Sequence, residues 1–214
     1  MFIYNEKVLV NKPFKLNELL KLVKANKDIK KDASVIAGIN LSLVLSPTTT
    51  NLETNKNVRE IYIITIDLKE KRIPSEFLDL FDKQIMFQTL FKICYNNNIV
   101  YRASLKEFNE DETMKILQTY QTDWQNELNQ AFPTTSKLEN VYKKMIANIT
   151  SYKFKQDESF KNYVMRLDLI KKRKTEIEKL TKTMNNEKQP NLRMALNDKI
   201  KEMRKQLNEM EVSG

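Results

Sequence analysis

Apolar positions change their period several times along the chain, and each change marks an element. Between residues 15 and 30, Leu16, Leu19, Leu20 and Val23 recur at helical spacing while Lys21, Lys24 and Lys27 take the other face, which predicts an amphipathic helix. Residues 32–46 place Val35, Ile39 and Leu43 four apart. They read as a buried helix running into a short extended stretch, closed by Ser46-Pro47 and a polar loop from Thr48 to Asn57. Val58, Ile61, Ile63, Ile64, Ile66 and Leu68 form a largely β-branched run bounded by charges, a buried strand. Lys69-Glu70-Lys71-Arg72 turns the chain. Pro74 suits a first helical turn, and Ile73, Phe77, Leu80 and Phe81 then predict a helix of about 10 residues. Strands over Gln88–Tyr95 and Ile99–Leu105 follow. They are joined at Asn96-Asn97-Asn98, and asparagine tolerates the left-handed backbone of a hairpin turn. A helical connection followed by a hairpin gives a mixed sheet and an α+β body.

Glu107–Glu112 reads as an acidic loop or strand edge, and Thr119–Trp124 as a further strand. Pro133-Thr134-Thr135-Ser136 breaks the chain, and Leu138, Val141, Tyr142, Met145, Ile146 and Ile149 predict a strong amphipathic helix. From residue 158 onward the chain is helical and charged. Leu167, Ile170, Ile177, Leu180 and Met184 lie on one stripe, interrupted at Asn185-Asn186 and Gln189-Pro190-Asn191. Leu196, Ile200, Met203, Leu207 and Met210 then step as a heptad seam. An unpaired helix would leave such a stripe wet, at about 25 cal/mol per Å² of apolar surface. The expected organisation is therefore a small mixed β-sheet with packed helices over residues 1–157, followed by an antiparallel α-helical coiled-coil hairpin over residues 158–214.

Composition narrows the chemistry. Among 214 residues there is no histidine, one cysteine (Cys94) and two glycines (Gly38 and Gly214). Ser-His-Asp and Cys-His catalysis, imidazole metal sites, intrachain disulfides, zinc ribbons and glycine-rich phosphate loops are excluded, and no cofactor is expected. No stretch reaches the apolar length of a membrane span. The first residues lack the basic and apolar regions of a signal peptide, and Cys94 sits inside an apolar run, so a reducing cytoplasm is the expected compartment. The formal net charge is +9, and it is unevenly placed. Residues 1–31 carry eight lysines and three acids, residues 32–170 carry 17 basic and 18 acidic residues, and residues 171–212 carry 12 and seven. A near-neutral body thus stands between two basic ends, where an anionic partner should be met.

Four places give a family resemblance: Leu45-Ser46-Pro47-Thr48 through Asn51-Leu52; the strand Glu60–Leu68 leading into Ile73-Pro74 and Leu78 through Lys83; the strand Gln88–Tyr95 with its hairpin mate; and the Leu138–Ile149 helix with its charged tail. Together they resemble an uncharacterised bacterial family, defined as a domain of unknown function, with no assigned catalytic residues. Its genes commonly lie beside those of type III restriction-modification-like helicases and adenine methyltransferases. The resemblance implies an accessory role in DNA-directed defence, with a helicase or methyltransferase subunit as protein partner.

Candidate chemistry is sparse. Asp67-Leu68-Lys69 ends a predicted strand, where residues two apart share a face, as in the D/E-x-K end of metal-dependent nucleases. A nuclease also needs a second acid. Glu60 falls on the opposite face of a regular strand and Glu53 in a loop, so the sequence nominates none. Glu76, Asp79 and Asp82 read as a solvated helix face, Glu110-Asp111-Glu112 as a polar loop, Cys94 as a small apolar group and Trp124 as core. Lys171, Lys172, Arg173 and Lys174, with Lys199, Lys201, Arg204 and Lys205, make the tail the candidate contact for a DNA or RNA backbone. No sequence-reading motif accompanies them. The reading is a non-enzymatic adaptor or accessory protein that binds a partner protein and nucleic-acid backbone. A Mg²⁺-dependent nuclease using Asp67 and Lys69 is the alternative, and a structural homodimer without ligand the third.

Overall fold

The computed structural model describes residues 2–127 and 129–211, and the chain folds as two compact units that meet between Ser151 and Tyr152. In the first unit six strands form one sheet in chain order: β1 Leu9–Phe14, β2 Ile36–Leu45, β3 Ile61–Leu68, β4 Gln88–Tyr95, β5 Asn98–Phe108 and β6 Met114–Gln121. All neighbours are antiparallel except β3 and β4. Their parallel pairing is made possible by the helical crossover α4, Ser75–Asp82. The sheet is mixed for the reason the sequence suggested, and the class is α+β.

A short helix, α3 (Pro47–Thr50), follows β2, and three other helices share one face of the sheet. α1 (Leu16–Leu22), α2 (Lys27–Ala33) and α4 bury Leu19, Val23, Ile29, Ala33, Phe77, Leu78 and Phe81 against Ile64, Ile66, Phe91, Ile93 and Val100. Strand alternation sends Ile61, Ile63, Leu90, Ala103 and Leu105 to the opposite face. There α5, Leu138–Thr150, packs on β5 and β6 through Val141, Tyr142, Met145 and Ile146.

The expected helix over 15–30 is two helices. Lys24 adopts a left-handed φ of 50°, and the Asn26 side chain accepts from the Ile29 N–H at 2.9 Å, capping a new start. The expected buried helix after residue 32 is instead the strand β2. Its apolar residues Ile39, Leu41, Leu43 and Leu45 alternate with Asn40, Ser42 and Val44 and are buried at period two, of which the four-residue step Val35, Ile39, Leu43 picks out only every second position. β1 gave no signal because five of its six residues are exposed on the sheet edge, where Pro13 is tolerated.

The second unit is built on α6 (Phe160–Asn186) and α7 (Pro190–Glu211), with the break at Glu187–Gln189 where the Asn/Pro run places it. Ile177, Ile200 and Met203 are buried together, with Leu180, Met184 and Leu207 packed around them. At the far end Arg166 Nη1 donates to the Met210 carbonyl at 3.2 Å, so α7 returns along α6. Residues 152–157 fold with this unit: the Tyr163 hydroxyl donates to the Tyr152 carbonyl at 2.7 Å, and the Phe154 and Tyr163 rings stack 3.7 Å apart.

Candidate nucleic-acid interface

The basic residues of the tail do not all play one part. At 100° per residue, Lys161, Lys171, Lys172, Lys179 and Lys182 of α6 fall within about 100° of arc, opposite the Ile177–Leu180–Met184 seam. All five are exposed and none has an ion pair among the described residues; Asp168 is the only acid in that arc. Lys171, Lys172 and Lys179 border one shallow groove with Asp168, Thr175 and Glu176. Arg173 and Lys174 instead flank the seam. Arg173 lies 3.7 Å from Glu176, and Lys174 Nζ lies 2.7 Å from Glu211 and 2.8 Å from the Tyr152 hydroxyl. The hydrogen bonds to Glu211 and then Tyr152 raise the Lys174 pKa, so this lysine fastens the two helices and is not a free phosphate contact.

On α7, Lys201 pairs with Asp198 at 3.7 Å, while Lys199, Arg204 and Lys205 are exposed and unpaired among the described residues. Asp198, Glu202 and Glu209 interleave with them, so the outer face of α7 is mixed in sign. The base of the unit is held by Arg166, whose Nε and Nη2 each donate to Glu158 at 2.8 Å while Nη2 also donates to the Lys153 carbonyl at 2.8 Å. Burial works to raise the Glu158 pKa, but the Arg166 hydrogen bonds and the Lys155 N–H overcome it and hold the carboxyl below its ordinary range.

In the first unit, Asp67 is exposed at the end of β3. Its register partners are Gly38 on β2 and Cys94 on β4, so neither neighbouring strand offers a second acid beside it. Lys69 Nζ donates to the Ser34 carbonyl at 3.1 Å. No group of three potential metal ligands occurs among the described residues. Glu127 acts electrostatically on Cys94, as Asp67 does, but its carboxylate is 2.6 Å from Lys92. Burial pushes the Cys94 thiol up, with Lys92 opposing and the two acids adding to it, so the thiol stays protonated.

On the acidic face of α4, Glu76 and Asp79 are exposed as expected, but Asp82 is not. Asp79 pairs with Arg102, and Asp82 is buried against Lys106, whose side chain is 0% exposed. Lys106 Nζ donates to the carbonyls of Asp82, Ile85 and Phe87 at 3.0, 2.9 and 2.9 Å. The Asp82 carboxylate approaches the ammonium to 2.7 Å, and neither of its oxygens has another donor among the described residues. Burial lowers the Lys106 pKa and Asp82 partly restores it. Sequence reasoning missed this lysine because a polar residue in Ser104-Leu105-Lys106-Glu107 looks like the outward half of an alternating strand.

The class defined by these features is an α+β protein of a mixed six-stranded sheet, with a unit of two long packed helices whose outward cations are largely unpaired. Residues 5–207 match the family described as Domain of unknown function (DUF4391), and the chain belongs to that family. No curated protein and no solved structure matches it. No helix among the described residues is long and apolar enough to cross a membrane.

Proposed function

We propose that this protein is a non-enzymatic accessory or adaptor of a bacterial DNA-directed defence or restriction-modification system, and that the outer face of α6 meets a nucleic-acid backbone. Its two long helices act as a coiled-coil hairpin, and its protein partner is a subunit of the helicase or methyltransferase kind. The observation carrying the reading is the set of five exposed α6 lysines with no ion pair among the described residues. Unpaired exposed cations are what counterion release requires, whereas cations already paired with carboxylates gain little from phosphate. Such contacts position a protein on the strand and carry no base sequence.

The test is a binding titration of duplex DNA at several salt concentrations. Replacing Lys171, Lys172, Lys179 and Lys182 with Gln keeps helix propensity and removes four charges. If all four meet duplex phosphates, the slope of log affinity against log salt falls in magnitude by about 3 to 4. Affinity should drop alike for all sequences. Unchanged affinity and slope in this variant, or equal binding by a chain truncated after Ser151, would refute the assignment.

A further inference from the structure

The first unit carries a basic stretch that α6 does not account for. Residues 1–31 hold eight lysines against three acids. All eight lysines are exposed, and only Lys15 has an ion pair among the described residues, with Glu18 at 3.3 Å. Four of the others, Lys21, Lys24, Lys27 and Lys30, recur every third residue where α1 gives way to α2. Lys31 is set apart from them, because it borders a groove with the acids Asp28, Asp32, Glu70 and Glu76.

Local preference does not explain these positions. The corner between the helices is a Schellman motif: the Ala25 N–H donates to the Leu20 carbonyl at 2.9 Å, and the Lys24 N–H to the Lys21 carbonyl at 3.0 Å. The left-handed position of that motif normally holds glycine or asparagine, and here it holds Lys24, with φ 50°. A side chain with a Cβ is strained there. At other left-handed positions the chain places Asn11, Asn51 and Asn96. Lys27 is the first residue of α2, where the positive end of the helix dipole disfavours a cation. Lys27 and Lys30, three apart, are neighbours on the helix surface, and a like-charged pair there is destabilising. Lys21 and Lys30 lie in last turns, which the dipole favours, so the cost falls on Lys24 and Lys27. No carboxylate among the described residues relieves the four: Glu18 is paired with Lys15 and Asp32 with Arg72. Unfavourable backbone and unfavourable charge placed at one exposed corner are the mark of residues kept for what they bind.

We propose that the α1–α2 corner is a second contact for the phosphates of a nucleic-acid backbone, made by Lys21, Lys24, Lys27 and Lys30. It shares the class of partner proposed for α6 but does not require α6 to make its own contact. Residues 15–33 contain no arginine and no aromatic residue. Four ammonium groups meet phosphates as point charges and offer neither a planar fork nor a stacking surface with which to read a base. A lipid surface would also call for an apolar edge, and Leu22 is the one exposed large apolar side chain between residues 15 and 33.

The experiment titrates the full chain with duplex DNA at several salt concentrations, and with phosphatidylserine vesicles. Three charge variants are compared with wild type: Lys21, Lys24, Lys27 and Lys30 to Gln; Lys171, Lys172, Lys179 and Lys182 to Gln; and the two sets combined. If all four corner lysines meet duplex phosphates, their replacement lowers the slope of log affinity against log salt by about 3 to 4 in magnitude. Lys24→Gly removes the charge and relieves the strain, so it should raise the unfolding midpoint while lowering that slope by about 1. Lys24→Arg keeps the charge and should keep the slope. A loss in the corner variant supports the proposal even where the α6 variant binds as wild type does, and in that case the α6 reading alone fails. Unchanged affinity and slope in the corner variant, beside a loss in the α6 variant, overturn this proposal alone. A Lys24→Gly protein that gains stability and binds DNA with the wild-type slope overturns it too, as does binding to vesicles but not to DNA. If the wild type binds no DNA even at low salt, both readings fall.

Discussion

Replacing Lys106 with methionine should come close to unfolding the first unit. The two side chains are similar in length, so little packing is lost and the perturbation is electrostatic. The ammonium is the only counter-charge within 2.7 Å of the buried Asp82 carboxylate, and it also satisfies the carbonyls of Asp82, Ile85 and Phe87. Removing one partner of a buried ion pair costs about 3–5 kcal/mol. The orphaned carbonyls add to this. Domain stabilities are about 5–15 kcal/mol in total, so the loss is most of the margin. Urea unfolding followed by the single Trp124 measures it. The double variant Lys106→Met with Asp82→Asn separates the causes. It removes the stranded charge but not the orphaned carbonyls, so it should recover part of the loss. The pH dependence has a defined sign. The Lys106 pKa is lowered in the fold, so the charged form is disfavoured there relative to the unfolded chain. Its contribution is therefore a cost at neutral pH that is relieved as pH rises from the folded value towards 10.5, and Lys106→Met should abolish that increment. A Lys106→Met protein within about 0.5 kcal/mol of wild type, the range of neutral surface changes, would refute the reasoning.

Two further outcomes follow from the geometry. The Glu158 carboxyl is held below its ordinary 4.5, so the Arg166 contact contributes stability above that pH and loses it as pH falls through the folded value; Glu158→Gln should flatten the acid limb of helix content measured by circular dichroism. Asp67→Asn and Lys69→Ala, at exposed positions, should change unfolding by less than about 0.5 kcal/mol and remove no Mg²⁺-dependent DNA cleavage; cleavage by the purified protein that Asp67→Asn abolishes would establish the nuclease alternative.

What could be read from the sequence was whatever depends on local pattern. β4 begins and ends at Gln88 and Tyr95 as read, Asn96 and Asn97 make the hairpin turn with Asn98 already opening β5, and Pro190 opens α7. These rest on residue types that act on their own backbone. β2 was missed because a four-residue step through Val35, Ile39 and Leu43 also fits its period-two alternation, and β1 because an edge strand needs no apolar stripe. The candidate sites divide the same way. The α6 lysines could be listed from composition, but which of them face outward depends on where the seam lies. That is why Arg173 and Lys174 part company from Lys171 and Lys172.

The distribution of paired and unpaired charge bears on what kind of protein this is. In the first unit several acids are committed to cations: Asp32 to Arg72, Asp79 to Arg102, Asp82 to Lys106, Glu127 to Lys92 and Glu112 to Arg59. A committed pair does not readily turn to a substrate, because the partner left behind must be resolvated or left uncompensated. Cys94, the one thiol, is held protonated by burial and so lacks the thiolate that nucleophilic attack requires. Asp67 is the acid that combines exposure with a strand end, and its register partners are a glycine and a cysteine. In the second unit, lysines on the outer face of α6 have no carboxylate to hold them among the described residues. Fixed cations on a helix held rigid by its own seam attract an extended anion without needing to rearrange.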